Sequence, residues 1–486
     1  MARAVPTNIR AIQLAVFIAF GFLFGYDIGV ISGCLIMPDF IRRFGEPDGK
    51  GGFVLSSSRQ SIITSLLSAG GALGQAFTSD RFGRRGSILI WSAIFTIGVA
   101  VQTGTTFSVA QITIGRFISG LGVGALSGIL YNGETSPKAL RGTLLVLYQL
   151  QIIIGLFLSY ILDLATHSVP NSASWRVPVG LQMVWGLILL SGIFFLPESP
   201  RHLLGLGKRV EACKVVSELN GVPQDDPLVE ELVEELEFGI KAENEGGHAT
   251  WLECFSTRNN LWKRTGNGMM LQFIQQLNGQ NFYYYYGDTF FQSAGTRLSP
   301  YVIQVVLGAV SVVGTVPSLI LIETWGRRQL LLTGALLQAA CSIIAGLVGH
   351  FTLAPANTAK ELLTHRNKQG GESFPLRVRP KSIALGSATN WIWNFLLSFF
   401  APRIAAKIGP LILLIFFGML LFGFAYVYLF VPETKGLSLE EVDELYRSGV
   451  KPWNSAGWKP HLNDAFRAKA GVTVRESSVE KPADAA

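Results

Sequence analysis

Eleven apolar stretches, each long enough to cross a bilayer, restrict this chain more than any other feature: roughly 13–37, 60–79, 87–105, 109–131, 143–162, 177–196, 267–287, 301–322, 330–351, 382–402 and 408–431. Soluble domains carry about 25% charged residues, whereas this chain of 486 residues carries 15%, with a mean hydropathy of +0.37. The expected class is therefore an all-α membrane protein. Within the stretches only Asp27 and Arg116 bring a formal charge. The first stretch is longer than a signal-peptide core and more spans follow it, so it is expected to be retained.

One stretch departs from lipid chemistry. Leu271 to Gly287 reads LQFIQQLNGQNFYYYYG and sets Gln275, Gln276, Asn278 and Asn281 in the middle of an uncharged run. Amides are costly in hydrocarbon unless paired, so they are expected to face protein or a watery cavity. On an unbroken helix Gln275, Asn278 and Asn281 recur every three residues and share a face. Such a face of donors and acceptors suits a polyhydroxylated ligand; the alternative is interhelical glue. The tyrosines that follow suit a gate or an interfacial aromatic belt.

Basic loops set the orientation. The N-terminus and the loops 80–86, 132–142, 197–266 and 323–329 are rich in Lys and Arg and fall on one side if the spans alternate, which makes that side cytoplasmic. The net charge of +7 is accounted for by these loops rather than by nucleic-acid binding. Four cysteines without CxxC spacing or nearby histidine give no metal or disulfide signal. No nucleophile–base pair or phosphate loop stands out, so no enzyme activity, cofactor or metal is expected.

The loops also repeat. Asp80 to Arg85 (DRFGRR) returns as Glu323 to Arg328 (ETWGRR), Gly133 to Pro137 (GETSP) with Arg141 returns as Gly371 to Pro375 (GESFP) with Arg379, and Pro197 to Arg201 (PESPR) returns as Pro432 to Gly436 (PETKG), at offsets of 243, 238 and 235. Two related halves with a site between them is a transporter architecture. The expected parts are an N-terminal bundle over 1–196, a cytoplasmic linker with amphipathic helices over 197–266, a C-terminal bundle over 267–431, and a cytoplasmic tail over 432–486. The second half, however, is one span short. Residues 352–381 carry six Lys or Arg and no long apolar run, so they cannot cross hydrocarbon as a lipid-facing helix. A lost helix near Gly370, by deletion or an altered splice junction, is favoured over an external tail or a sheltered crossing.

The motifs together resemble the sugar porters of the major facilitator superfamily, in particular the fungal monosaccharide transporters: FGYDIGVISG (24–33), DRFGRR (80–85), GRFISGLGVG (115–124), PESPR (197–201), QQLNGQNFYYYYG (275–287), ETWGRR (323–328), GESFPLRVR (371–379), ATNWIWNF (388–395) and PETKG (432–436). The resemblance implies twelve helices in two six-helix bundles with a sugar held between them. Residue by residue it implies sugar contacts at Gln149, Gln275, Gln276, Asn281 and Asn394, with Ser311 standing where an asparagine is usual. It implies an outer aromatic gate at Tyr285 and Tyr286. The tenth helix, with its tryptophan platform and Gly-Pro hinge, is the part not found, and only Glu372 onward remains. Trp391 is a further aromatic candidate for the ligand, or for packing.

Asp27 and Arg116 are natural partners at comparable depth, and the resemblance makes them a proton-coupling pair; a fixed ion pair in a facilitator is the alternative. An inner-face charge latch is expected from Arg84, Arg85, Glu134, Arg141, Glu198, Arg201, Glu323, Arg327, Arg328, Glu372, Arg379 and Glu433, because Arg forks bind carboxylates in pairs. The expected function is hexose transport by alternating access as proton symport, in a multi-pass plasma-membrane protein with a cytoplasmic N-terminus. The partners are a monosaccharide, a proton and the lipid bilayer. A facilitative uniporter, a non-transporting sugar receptor and an inactive product are the alternatives.

Overall fold

The computed structural model describes residues 7–49, 51–74, 83–125, 141–244, 252–256, 261–293, 298–351, 379–435, 442, 444–446 and 448–458. The first half contains α1 (Thr7–Cys34), a short α2 (Pro38–Phe44), α3 (Ser57–Gly74), α4 (Gly83–Thr103), α5 (Val109–Ala125), α6 (Arg141–Thr166) and α7 (Ala173–Phe194). Three polar helices follow, α8 (Pro200–Gly205), α9 (Arg209–Asn220) and α10 (Pro227–Asn244). The second half contains α11 (Leu261–Gln276), α12 (Gln280–Ser293), α13 (Pro300–Thr324), α14 (Arg327–Phe351), α15 (Arg379–Ile408) and α16 (Ile412–Phe430). The described part of each apolar stretch falls mainly on one helix, except 267–287, which is divided between α11 and α12. By length and hydropathy six segments of the described residues qualify as membrane spans, α15 and α16 counting as one, and a seventh is added if α1 and α2, bent by 82°, form a single broken span. The only strands described are two residues each, Glu46–Pro47 paired with Phe53–Val54 in the loop after α2.

Small residues decide how closely the helices meet. On α1, Gly25, Gly29 and Gly33 recur every fourth residue, and a Cβ on them would lie 1.8 Å from the Ile152 carbonyl oxygen, 1.9 Å from Ser159 Oγ and 2.5 Å from Asp163 Oδ2. The stripe lets α6 lie directly on the α1 backbone, as small residues do in bilayers. Between α3 and α5 the same device operates, since a Cβ on Gly124 would meet the Gly71 oxygen at 2.0 Å. Across the halves, α3 packs on α15, α6 on α13, and α1 on α12.

Two corrections to the sequence reading belong here. The stretch Leu271–Gly287 is not one helix: it breaks between α11 and α12, with Gly279 at φ 89°. Asn278 accepts the Gln280 amide at 2.9 Å as a cap for the second piece, so Gln275, Asn278 and Asn281 do not share a face. In addition, Asp27 and Arg116 are not the only charges within the bundle. Asp163 and Asp288 each lie one residue beyond an expected span, yet both fall inside helices and are 1% exposed. The segment 352–378, where a helix was expected to be lost, lies outside the described residues.

Beyond the first span α2 is clamped to α7. Asp39 takes Arg42 Nη2 and Arg43 Nε at 2.6 Å each and Trp175 Nε1 at 3.1 Å. Burial alone would push its carboxyl up, but the hydrogen bonds from Arg43, Trp175 and Arg42 outweigh it and hold Asp39 below the usual carboxylate range.

Candidate functional site

The break in α11–α12 brings a set of amides together. Gln276 is fully buried, and its Oε1 accepts from Asn281 Nδ2 and, at 3.1 Å, from Asn394 Nδ2. Asn394 Oδ1 in turn accepts Tyr285 O–H at 3.2 Å and Ser68 O–H at 2.6 Å. Ser68 belongs to α3 and Asn394 to α15, so this chain of bonds joins the two halves. Gln276 Nε2 has no partner. Gln149 on α6, 6% exposed, has neither amide atom bonded. These unspent donors and acceptors in a buried setting are what a hydroxylated ligand would engage.

The ionic pair stands beside this network. Arg116 Nη1 lies 3.5 Å from Asp27 Oδ1, with both side chains at most 1% exposed. Asp27 Oδ2 and Arg116 Nε and Nη2 have no further partner. Tyr285 is close enough to both charges to interact with them. A single long contact leaves most of the bonding capacity of both groups free among the described residues.

The family described as Sugar (and other) transporter matches residues 14–364 and 370–446. The chain belongs to the sugar transporter family. The break in the match, between residues 364 and 370, lies within the segment 352–381 where no span was expected from the sequence. This sugar transporter is 39% identical over 472 residues to the low-affinity glucose transporter HXT4 of Saccharomyces cerevisiae, covering 90% of this chain and 81% of that one. It is 38% identical over 476 residues to the low-affinity glucose transporter of Kluyveromyces lactis, covering 92% and 84%. Among solved structures it is similar to the proton:xylose symporter XylE bound to 6-bromo-6-deoxy-D-glucose, with a TM-score of 0.71 and 25% identity, covering 90% of this chain and 99% of that one. The fold is that of a major facilitator sugar porter, and the activity of the family is transport, not enzymatic catalysis.

Several candidates of the sugar transporter take places that the sequence did not give them. Gln275 is turned from the network: its Oε1 is 3.5 Å from Asn390 Nδ2, which bonds Gln272 Oε1 at 2.7 Å. Ser311 donates to the Leu307 carbonyl at 2.8 Å and lines a cavity of about 60 Å³ with Asn278, Gln280, Gln304 and Gln338. Trp391 presses on α3, where a Cβ on Gly71 would lie 2.6 Å from its ring, and meets Phe24 edge-on at 5.6 Å. It is a packing residue between the halves. Tyr286 donates to the Ser398 carbonyl at 2.5 Å, so Tyr285 joins the amide network while Tyr286 fastens α12 to α15.

The arginine loops cap helices. Glu198 accepts the backbone amides of Arg84 at 2.9 Å and Arg85 at 3.2 Å, at the start of α4. Glu433 accepts those of Arg327 and Arg328 at 3.0 Å each, at the start of α14. The guanidinium groups of Arg85, Arg327 and Arg328 bond carbonyls of their own half, at Phe194, Thr434 and Tyr428. A helix start has free N–H groups and a positive dipole end, so the acids are held by backbone where forks were expected. Arg201 follows in α8 and its side chain is also engaged. Glu134 and Glu372, and the side chains of Arg141, Glu323 and Arg379, lie outside the described residues.

The sequence missed Ser68, Asp163, Asp288 and Gln304. Ser68 gave no signal among the many serines of α3. The two aspartates gave one: a carboxylate one residue from an apolar run is within half a helical turn of it.

Proposed function

We propose that the chain carries a hexose by alternating access as a proton symporter. The reading rests on the bond chain Ser68–Asn394–Gln276–Asn281, which draws on both halves and still leaves Gln276 and Gln149 with unspent amide atoms. The glucose named for the yeast relatives and the proton named for XylE support the substrate and the coupling ion. In this reading Gln149, Gln276, Asn281 and Asn394 hold the sugar, Asp27 takes the proton in competition with Arg116, and Tyr285 relates sugar to charge. One proton moving down ~100 mV contributes about 2.3 kcal/mol, enough for roughly 50-fold accumulation.

The halves are 1–196 and 267–431, joined by a cytoplasmic linker over 197–266 and followed by a cytoplasmic tail over 432–486, in a plasma-membrane protein with its N-terminus inside. We further infer eleven spans, with the tenth helix of the family absent. In the first half α5 packs on both α3 and α4, whereas α13 and α14 meet only loosely and share with α6, α12 and α16 the lining of a small cavity of about 60 Å³. The caps at Glu198 and Glu433 are then the intrabundle part of the charge latch, with Glu134, Arg201, Glu323 and Glu372 completing it.

Uptake of labelled glucose in cells lacking their own hexose transporters, with and without a protonophore, tests the reading. Accumulation above the external level that collapses with the protonophore is expected. Asp27→Asn should abolish accumulation but keep sugar exchange. Accumulation that survives Asp27→Asn would remove the coupling role, uptake indifferent to the protonophore would make the chain a uniporter, and no uptake despite sugar-dependent stabilisation would make it a receptor.

A further inference from the structure

Asp163 closes α6 and Asp288 lies in α12, one acid from each half, at the end of the bundle opposite the arginine loops. Each is 1% exposed; Asp163 packs on Gly33 and Asp288 on Ser32, the next residue of α1, and the charge of Asp288 acts on Asp163. Among the described residues no side chain bonds Asp163, which the Gly33 backbone approaches, and Asp288 Oδ1 has no partner. Among the described ion pairs neither acid has a cation. The enclosure is tight. A Cβ on Gly33 would lie 2.5 Å from Asp163 Oδ2, Ser32 faces Asp288, and Gln304 of α13 donates to Ser32 Oγ at 3.3 Å, tying the second half to α1.

Two more groups aim into the same space with nothing to bond. The hydroxyls of Tyr160 (α6) and Tyr301 (α13) are unpartnered, their side chains 2% and 7% exposed, and both act electrostatically with the two aspartates. The other titratable groups facing the pair are Tyr26 and Cys34 on α1 and Tyr284 on α12. Arg116 on α5 reaches Cys34 electrostatically, and His167, just past the end of α6, sets its ring against Tyr301 with centroids 4.4 Å apart and planes tilted by 34°. Two bare carboxylates cannot share a dry enclosure: each would forfeit several kcal/mol of hydration and repel the other.

We propose that Asp163 and Asp288 form a second proton-binding site, shared between the halves, which is filled when this end of the transport path closes and empties when it opens to water. The site is separate from Asp27. Its proton enters and leaves by the same end, so it moves no net charge; it makes closure of that end depend on pH. By linkage one shared proton makes the closed-to-open ratio rise up to about tenfold for each pH unit of acidification.

The test uses the full chain in lipid nanodiscs, with a fluorophore pair at Ser168 and Leu298, exposed positions at this end of the first and second halves. The distance distribution is read across the pH range with and without glucose. Acid should favour the short distance, and Asp163→Asn and Asp288→Asn, which carry a permanently neutral group, should stay short with a flat pH profile. Asp288→Glu, which can still take a proton, should restore the slope and shows that the flat variants are not misfolded. His167→Gln should keep the slope. The proposal fails if both Asn variants titrate like the parent, if His167→Gln abolishes the slope, or if replacing K+ and Na+ by choline at fixed pH opens this end, which would make the occupant a metal cation. The proposal rests on alternating access: a distance that answers glucose but not pH sinks the proton site alone, and one that answers neither sinks alternating access itself.

Discussion

The two halves begin their third helices identically and then diverge. Gly83 at φ 74° opens α4 and Gly326 at φ 98° opens α14, and in both a Cβ would strike the capping glutamate, at 2.4 Å from Glu198 and 2.6 Å from Glu433. The loop motif thus encodes one local device: a left-handed glycine, then free amides aimed at an acid from the end of the sixth or last span. Beyond the caps the first half is closed by glycine contacts between α3 and α5, while α13 and α14 enclose open volume. Equal starts therefore do not make equal bundles. Capping is local and survives whatever happens to a neighbouring helix; packing is not.

The strongest way to break this comparison is to overfill the closed half. Gly124→Leu places a side chain where a Cβ already meets the Gly71 oxygen at 2.0 Å, and should cost at least about 3 kcal/mol, seen as loss of folded protein on detergent extraction. A folded, stable Gly124→Leu would show that α3 and α5 are not held as described. Next, Glu198→Ala and Glu433→Ala should each cost about 1–2 kcal/mol by thermal melting, and by similar amounts. A loss several times larger in one half would mean that the caps are not equivalent.

A smaller effect separates the halves by pH. Because Asp39 is held below the usual carboxylate range, its contribution is complete above the unfolded pKa, near 4, and is lost as pH falls through the lower folded value. Acid should therefore loosen the α2–α7 clamp, exposing that loop to an acid-active protease, and Asp39→Asn should make it equally susceptible at neutral pH. Smallest of all, Cys341→Phe fills the cavity of about 60 Å³ beside Ser311 and should change the melting free energy by less than about 1 kcal/mol. A large loss there would mean that the space between α13 and α14 is already occupied.

How much was legible follows from the range of each interaction. The apolar runs, the repeated loops and the pairing of Asp27 with Arg116 could be read directly, since spans and their scarce charges obey the bilayer. The all-α porter architecture followed from them. Gln276 and Asn281 stood out because amides in such runs need partners, and Asn394 was reached only through the family resemblance. The three-residue spacing misled, because Gly279 and Asn278 break the helix between the residues being counted. Asp163 and Asp288 were passed over for a related reason. A hydropathy window stops where a charge begins, whereas a helix continues to its cap, and burial there is decided by α1 and α13, far away in sequence. Ser311 and Trp391 carry the right chemistry, but which wall each faces depends on helix rotation, which no local pattern encodes.

The interruption at Gly279 leaves one span as two rigid rods. The first, α11, lies against α15 and α16; the second, α12, lies against α1, α13 and α15. A rod cut at mid-depth can tilt at one mouth without dragging the other, so the two mouths can unfasten in turn. Gln276 and Asn281 sit on either side of the cut. They are the pivot, and whatever they grip is felt by both rods at once.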